Sequence, residues 1–299
     1  VNNKALHSRL EMKSRLLNWR FSYLPYFGFK SMDEALQAIS SLGFEGVEVP
    51  SLIPYKSTQD LQSFVNQAKS YNLEVSEVGF SQDFVDLEDD RRREKVRATK
   101  EKIQMASECS INIVKGLTGP YPWDKNALKL GTDITEGRAW KLVLESFNSF
   151  IETCEKYSVF FALEACFGNL ARDYYTTKEL LDSIGSKYLA LNLDPSHYNL
   201  YGNDVAWVVK RFGKDKIKHV HLKDSVGVPR DEGRDFIFPL LGEGSIDWQA
   251  FFGALREIGY EGFFSAEYES MNYFKNVLDS DPVKTAELSL KLMKKLSQS

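Results

Sequence analysis

Short runs of β-branched and aromatic residues alternate with longer amphipathic segments along most of this chain. The short runs favour strands, whereas apolar positions spaced three or four residues apart favour helices. The pattern predicts eight strands: Trp19–Tyr23, Gly46–Val49, Leu73–Val78, Asn112–Lys115, Val159–Glu164, Tyr188–Asp194, Ile217–His221 and Gly262–Glu267. It also predicts eight helices: Met32–Leu42, Thr58–Tyr71, Arg91–Glu108, Arg138–Lys156, Thr177–Ile184, Asp204–Phe212, Trp248–Ile258 and Val283–Leu296.

Strands that alternate with helices favour a parallel sheet, because parallel neighbours must be joined by a crossover. Eight such units fit the size of a closed barrel. The sequence therefore predicts an α/β fold of the (β/α)₈ TIM barrel class, with 1–299 as one domain and 1–17 as an N-terminal extension. Two long irregular stretches, Gly116–Gly137 and Lys223–Ile246, follow strands and should lie at the carboxyl-terminal rim, where such barrels carry their chemistry.

Capping residues indicate where several predicted helices begin and end. Ser31 and Thr176 each precede a glutamate, Glu34 and Glu179, by three positions, as in a capping box. Glycines also follow three helix-like runs, where a left-handed C-cap is expected. These glycines are Gly43, Gly185 and Gly259.

Composition and charge narrow the classes of function. The formal net charge of −4 leaves no basic surplus for a phosphate backbone, so we expect no nucleic-acid partner. The three cysteines have no pair spacing, which favours a reducing compartment over a disulfide framework. There is no apolar run of about 18 residues and no signal-like N-terminus, so we expect a cytoplasmic protein without a membrane partner.

Four of the later predicted strands end in side chains that can bind a metal ion. These residues are Glu164, Asp194, His221 and Glu267. Side chains alternate between the two faces of a strand, so the residues two positions earlier must share the inward face. Those earlier residues are small or polar, namely Ala162, Asn192, His219 and Ser265. The intervening residues are apolar and suited to meet helices, namely Leu163, Leu193, Val220 and Ala266.

In all four strands the side chain that can bind a metal is on the inward face, which indicates a shared site. Three carboxylates and an imidazole at one rim would repel each other unless a cation neutralised them. Oxygen-rich ligation with one nitrogen suits Mn²⁺, Mg²⁺ or Co²⁺, and the absence of thiolates disfavours Zn²⁺. The sequence thus predicts one divalent cation held by Glu164, Asp194, His221 and Glu267.

An ordered set of short segments resembles the xylose-isomerase-like barrel superfamily of sugar-phosphate isomerases and epimerases. The segments are Gly43-Phe44-Glu45-Gly46-Val47-Glu48, Leu163-Glu164, Asp194-Pro195-Ser196-His197, His219-Val220-His221-Leu222-Lys223-Asp224, Gly242-Glu243-Gly244-Ser245-Ile246-Asp247-Trp248 and Glu267. The resemblance extends from about Arg20 to Leu296. It is fairly specific for the superfamily and poorly specific for the substrate.

The resemblance implies that the four strand-end residues are the metal ligands, and that Glu164 and Glu267 also transfer protons. It places His197 at the position of a substrate-contacting histidine. One departure concerns an arginine that ketose 3-epimerases carry six residues after the histidine ligand, where this chain has Gly227. Arg230 or Arg234, in the longer loop that follows, could contact substrate instead.

Three further residues are candidates for substrate binding. Glu48 ends the second predicted strand, and Lys115 ends the fourth. Trp123 offers an aromatic face in a rim loop, where a carbohydrate ring could stack. Two of them also have a structural alternative: a salt bridge in the case of Lys115, and a plug of the barrel mouth in the case of Trp123.

A site of this kind can serve several reactions on a small polyhydroxylated substrate. A metal that chelates a carbonyl and the neighbouring hydroxyl stabilises an enediolate, and a carboxylate can take the proton. We therefore expect a divalent-metal-dependent sugar or cyclitol isomerase or epimerase, which could form a homo-oligomer. The alternative is a lyase on the same scaffold, of the inosose, dehydroshikimate or 3-oxo-glycoside type. An endonuclease is disfavoured, because the related endonuclease branch uses a histidine-rich zinc cluster. This chain has only four histidines and no basic face.

Overall fold

Eight parallel strands close into a barrel in the computed structural model, which describes residues 19–25, 27–51, 55–230 and 233–298. The chain also forms an antiparallel hairpin of two strands, β8 and β9. The strands are β1 Arg20–Tyr23, β2 Gly46–Val49, β3 Glu74–Gly79, β4 Ile113–Gly116, β5 Phe160–Leu163, β6 Leu189–Leu193, β7 Ile217–Leu222, β8 Val226–Arg230, β9 Gly233–Ile237 and β10 Phe263–Ala266. Around the barrel the order is β1-β10-β7-β6-β5-β4-β3-β2, so the predicted (β/α)₈ TIM barrel is confirmed.

Helices follow the barrel strands and cover the outside of the sheet. They are α1 Met32–Leu42, α2 Thr58–Ser70, α3 Asp89–Glu108, α4 Glu136–Tyr157, α5 Tyr174–Ile184, α6 Pro195–Leu200, α7 Val205–Lys216, α8 Trp248–Glu257, α9 Met271–Asn276 and α10 Pro282–Ser297. Each of the eight predicted helices is present, with ends within a few residues of the expected ones. Within the described ranges, no helix combines the length and apolarity needed to cross a membrane.

Capping chemistry explains most helix boundaries, with one correction. Ser31 accepts a hydrogen bond from the backbone N–H of Glu34, and Gly43 ends α1 in the left-handed conformation with φ of 92°. The predicted cap at Thr176 is wrong, because Asp173 caps α5 and accepts from the Thr176 N–H. An aspartate carboxylate is a strong N-cap acceptor, so the helix begins three residues earlier than the hydroxyl suggested.

Three short elements at the rim were not expected from the sequence: α6, α9 and the β8–β9 hairpin. The hairpin pairs Val226 with Ile237 and Arg230 with Gly233 inside the stretch predicted to be irregular. Gly227 lies in this hairpin with φ of 106°, a conformation that favours glycine. An arginine at this position would be strained, because residues with a side chain rarely adopt this φ.

The barrel strands have the alternation that the sequence predicted. Asn192 pairs with His219, and Ser265 pairs with His221, across neighbouring strands, and all four are fully buried. The outward residues belong to the core between sheet and helices. For example, the ring of Phe161 on β5 lies 4.7 Å from the ring of Phe150 on α4. Apolar packing therefore occupies the outside of the sheet and leaves polar groups inside the barrel.

The predicted N-terminal extension, 1–17, lies outside the described residues. The side chains of Arg230 and Arg234 also lie outside the described part, although both residues belong to the hairpin strands. The proposed substrate contacts of these two arginines therefore remain predictions.

Candidate functional site

Four neighbouring strands, β5, β6, β7 and β10, bring the predicted ligand residues together at the carboxyl-terminal end of the barrel. Glu164, Asp194, His221 and Glu267 each offer one ligand atom, and these atoms all lie within 4.8 Å of one another. The Nδ1 atom of His221 is 2.9 Å from Glu164 Oε1 and 3.2 Å from Glu267 Oε2. All four side chains are buried. The geometry is that of a compact cluster of three carboxylates and one imidazole.

The position of Asp194 is fixed by the start of α6. Asp194 is the N-cap of this helix, its Oδ1 accepts the backbone N–H of Ser196, and Pro195 occupies the first helical turn. Its Oδ2 accepts no hydrogen bond within the described chain and faces Lys223 Nζ at 3.0 Å. The cap therefore holds one oxygen and directs the other toward the cluster.

Two lysines enter the site from opposite sides. Lys115 Nζ lies 3.4 Å from Glu164 Oε2, and Lys223 Nζ lies 2.6 Å from Glu267 Oε2. Lys223 was not predicted to have a role, although it follows His221 by two positions and shares the inward phase of β7. That shared phase was the signal that could have identified it. Each proton-transfer candidate thus has its own ammonium neighbour.

Burial and neighbouring charges shift the pKa values of the three carboxylates. Burial raises the pKa of Glu164, but the positive charges of Lys115 and His221 outweigh burial and lower this pKa to about 2. Burial raises the pKa of Asp194 to about 6, because the charge of Lys223 only partly opposes it. Glu267 has a pKa well below its ordinary value, since Lys223 and His221 overcome burial. The cluster is therefore anionic near neutral pH.

His197 lies beside the ligand cluster rather than within it. Its Nε2 atom is 3.4 Å from both Asp194 Oδ2 and Lys223 Nζ. Its ring packs near Phe167 and Phe238, with centroid distances of 5.7 and 5.9 Å. Burial and the charge of Lys223 lower the pKa of His197 to about 3, so the ring is neutral near pH 7. This position is compatible with the predicted substrate contact.

Two of the other candidates lie at different depths. Trp123 is 51% exposed in the loop after β4, where it stacks on Tyr121 and meets the edge of Phe167. Glu48 is fully buried, and its Oε1 lies 3.1 Å from His221 Nε2. Trp123 is thus accessible to a ligand at the barrel mouth. Glu48 instead lies on the side of His221 that faces away from Glu164 and Glu267.

A second layer of polar side chains supports the cluster from within the barrel. His219 Nδ1 lies 3.0 Å from Asn192 Oδ1, and Asn192 donates to Glu164 Oε1 at 3.3 Å. Glu77 lies 3.6 Å from His219 Nδ1, and both of its carboxylate oxygens are buried without a hydrogen bond from the described residues. Sequence reasoning placed His219 in this layer but missed Glu77, which lies two positions before the end of β3.

The residues present fit a divalent cation. Oxygen donors with a single imidazole suit Mg²⁺, Mn²⁺ or Co²⁺. The buried Asp194 Oδ2, which lacks a hydrogen bond from the described residues, is directed toward the other three ligand groups. A divalent ion would offset the mutual repulsion of the three carboxylates, whose charge the two lysines already reduce.

Curated relatives resemble the chain at low identity. An inosose dehydratase of Clostridium perfringens (strain 13 / Type A) is 22% identical over 293 residues, covering 91% of this chain and 94% of that protein. An inosose isomerase of Bacillus subtilis (strain 168) is 30% identical over 133 residues, covering 42% of this chain and 45% of that protein. The relatives therefore include both lyases and isomerases by name.

Solved structures show the same fold at still lower identity. The IOLI protein with a bound zinc atom superposes with a TM-score of 0.74 and 16% identity, covering 93% of this chain and 98% of that chain. An L-ribulose 3-epimerase superposes with a TM-score of 0.72 and 20% identity, covering 94% and 95%. The family model for the xylose isomerase-like TIM barrel matches residues 36–296. The chain therefore belongs to the xylose isomerase-like TIM barrel family.

Proposed function

We propose that this chain is a divalent-metal-dependent lyase that removes water from a small polyhydroxylated ketone, of the cyclitol or sugar type. The observation that carries the proposal is the pairing of each glutamate with an ammonium group. Glu164 lies beside Lys115, and Glu267 lies beside Lys223, at one buried cluster. A dehydratase needs both a base and an acid at one site, and these pairs supply both.

Four residues would hold the metal ion: Glu164, Asp194, His221 and Glu267. A bound divalent cation would polarise the substrate carbonyl and make the neighbouring C–H bond more acidic. A solved structure with the same fold contains a bound zinc atom, which supports a divalent ion, while the oxygen-rich donors favour Mn²⁺, Mg²⁺ or Co²⁺ here. We propose one ion in this position.

The carboxylates perform the proton abstraction in this proposal. Glu164 and Glu267 follow β5 and β10, which are three steps apart around the barrel, so a substrate between them offers one face to each. One carboxylate removes the proton from the carbon next to the carbonyl. Nearby cations lower the pKa of both glutamates, so both are ionised near pH 7, and only the ionised form of a carboxylate can accept the proton.

The lysines govern the step after proton removal. As the C–H electron pair forms the new C=C bond, the C–O bond to the β-hydroxyl breaks. The hydroxyl leaves as water when an ammonium group gives it a proton. Lys223 has a pKa well above its ordinary value, since Asp194 and Glu267 overcome burial, so it is protonated at neutral pH. Lys223 is the proposed acid, and Glu164, which lies across the cluster, is the proposed base.

Epimerisation or isomerisation is the second candidate, and the placement of the two glutamates favours it. The two glutamates flank one cluster, so the second carboxylate can return a proton to the opposite face of the same carbon. Solved epimerases share the barrel, which supports the scaffold but not the reaction. The inosose dehydratases that match nine tenths of this chain favour water loss instead.

One experiment separates these candidates. Purified protein loaded with Mn²⁺, Mg²⁺ or Co²⁺ is incubated with inososes, ketoses, 3-oxo-glycosides and dehydroshikimate in deuterated water. Mass spectrometry that detects a product lighter by one water supports the lyase. Deuterium uptake without loss of water supports the epimerase. Neither water loss nor deuterium uptake with any substrate class would contradict both.

A further inference from the structure

His221 separates two groups of carboxylates inside the barrel. Its Nδ1 atom faces Glu164 and Glu267, at 2.9 and 3.2 Å. Its Nε2 atom faces Glu48, with the two carboxylate oxygens at 3.1 and 3.2 Å. Glu77 is more distant, with Oε1 at 3.5 Å from the same nitrogen. The imidazole thus has one nitrogen for the proposed metal and one for a buried carboxylate.

We propose that Glu48 is a positioning residue that holds the Nε2 proton of His221 and so leaves Nδ1 as the metal donor. This inference rests on the proposed metal site. Metal binding would displace one proton from the charged imidazole ring, and the neutral ring that results keeps its remaining proton on the nitrogen that does not bind the metal. Only Nε2 can then hold the proton, and an ionised carboxylate only accepts hydrogen bonds. Glu48 therefore stabilises the tautomer that the site needs and fixes the ring orientation.

The position of Glu48 in the barrel supports its role in orienting His221. It lies on β2, which is separated from β7 by β1 and β10 in the closed barrel, so it reaches His221 across the interior. Both side chains are fully buried. A water molecule from bulk solvent cannot readily replace the carboxylate at such a depth, and a buried unpaired N–H costs free energy. The hydrogen bond therefore links two sides of the barrel through the ligand itself.

The same groups admit one competing interpretation. Glu48, Glu77, His219 and His221 offer ligand atoms within 4.8 Å of one another, which is also the spacing of a cation site. In that case His221 would bridge two ions and carry no proton on Nε2. The two interpretations differ in the number of bound ions and in the protonation of His221, and both quantities can be measured.

The test compares Glu48→Gln with Glu77→Gln, a matched change of a fully buried glutamate on the neighbouring strand. We expect calorimetric titration with Mn²⁺ or Co²⁺ to give one site in the parent protein. Affinity should fall about 10- to 100-fold in the Glu48→Gln variant. It should change by less than about threefold in the Glu77→Gln variant, because Glu77 is further from Nε2. The visible spectrum of bound Co²⁺ should also shift in the Glu48→Gln variant alone.

A measurement on the parent protein keeps the proposal testable if a variant fails to fold. Long-range ¹H–¹⁵N NMR of the Mg²⁺-loaded or Zn²⁺-loaded protein identifies the protonated nitrogen of His221. A proton on Nε2 supports the proposal, and a bare Nε2 overturns it. Two bound ions in the parent and one in the Glu48→Gln variant would also overturn it. If the parent binds no divalent ion at all, the proposed metal site fails first and this inference fails with it.

Discussion

The ammonium group of Lys223 lies 2.6 Å from the Oε2 atom of Glu267 and 3.0 Å from the Oδ2 atom of Asp194, so it touches two predicted metal ligands. Its side chain is 4% exposed. The aromatic ring of Phe238, which follows the β8–β9 hairpin, covers this ammonium group at 4.7 Å. A buried charge is costly unless it is paired. These carboxylates keep the ammonium group protonated, which is the form that the proposed acid requires.

Replacing Lys223 with methionine tests that role. The Lys223→Met variant keeps a side chain of similar length and loses the proton, so we expect turnover to fall at least about 10²-fold. The variant should still bind a divalent ion, since removing a cation makes the ligand cluster more negative. Turnover and calorimetric metal titration measure the two effects.

Lys218→Met provides the control for the lysine variant. Lys218 lies on the same strand and its ammonium group packs over the ring of Phe160, away from the cluster. We expect the turnover of this control to be unchanged. Normal turnover in the Lys223→Met variant would remove Lys223 from the chemistry and favour the epimerase over the lyase.

Exchanging either glutamate for glutamine should separate metal binding from proton transfer. The Glu164→Gln and Glu267→Gln variants keep an oxygen donor and lose most of the basicity, so we expect metal to be partly retained in both. Turnover should fall at least about 10²-fold in the Glu164→Gln variant of a lyase, and in both variants of an epimerase. Glu45→Gln is the control, because Glu45 is exposed at the amino-terminal side of β2.

Solvent-deuterium exchange then assigns the roles of the two glutamates. In a lyase with Glu164 as base, only the Glu164→Gln variant should lose C–H exchange. In an epimerase, each variant should block exchange from one epimer more than from the other. Equal exchange from both epimers in both variants would leave the glutamates as ligands only, and Lys115 would become the next candidate.

The sequence was sufficient for the barrel because one physical signal repeats along it. The alternation of strand-like and helix-like segments predicted the fold, and the apolar alternation on β5, β6, β7 and β10 predicted the inward phase of Glu164, Asp194, His221 and Glu267. Each signal involves residues close together in the chain, so it can be read without knowing the tertiary structure.

Contacts between distant segments could not be predicted in this way. Glu48 and His221 are 173 positions apart, and their contact depends on how the barrel closes. The sequence placed Glu48 at the rim as a substrate contact. In the structure its carboxylate is fully buried and lies against His221. The β8–β9 hairpin was also missed, because its strands are short and Gly227 interrupts the apolar pattern.

A carboxylate outside the candidate metal clusters should govern part of the acid stability. Asp86 accepts hydrogen bonds from Arg91 and Lys95, and its side chain is 8% exposed. Burial raises the pKa of Asp86, but these hydrogen bonds outweigh burial and hold the pKa below its ordinary value. The stabilisation is therefore complete above the ordinary pKa of an aspartate, near about 4, and is lost as pH falls toward the lower folded-state pKa.

The Asp86→Asn variant should therefore be less stable than the parent at pH 7, by about 1–3 kcal/mol. The difference should shrink as the pH is lowered below about 4. Urea unfolding at both pH values measures it. Asp90→Asn is the control, because Asp90 is almost fully exposed in its ion pair with Arg93 and should contribute nothing measurable. A difference that stays constant with pH would show that the carboxylate charge is not the cause.

His197 should act on the substrate and leave the metal in place. Its Nε2 atom is within 3.4 Å of Asp194 Oδ2, yet His197 lies further along α6 than Asp194 and belongs to neither group of described residues that could hold a metal ion. The His197→Ala variant should therefore keep its divalent ion and lose about tenfold in kcat/KM, the scale of one hydrogen bond. Asp194→Asn and His221→Ala should lose most of the metal, which elemental analysis measures.

Because the ring of His197 also fills space between Phe167 and Phe238, His197→Asn serves as a second variant that retains a polar group. Loss of metal in both His197 variants would place this residue among the ligands and contradict its assignment to the substrate.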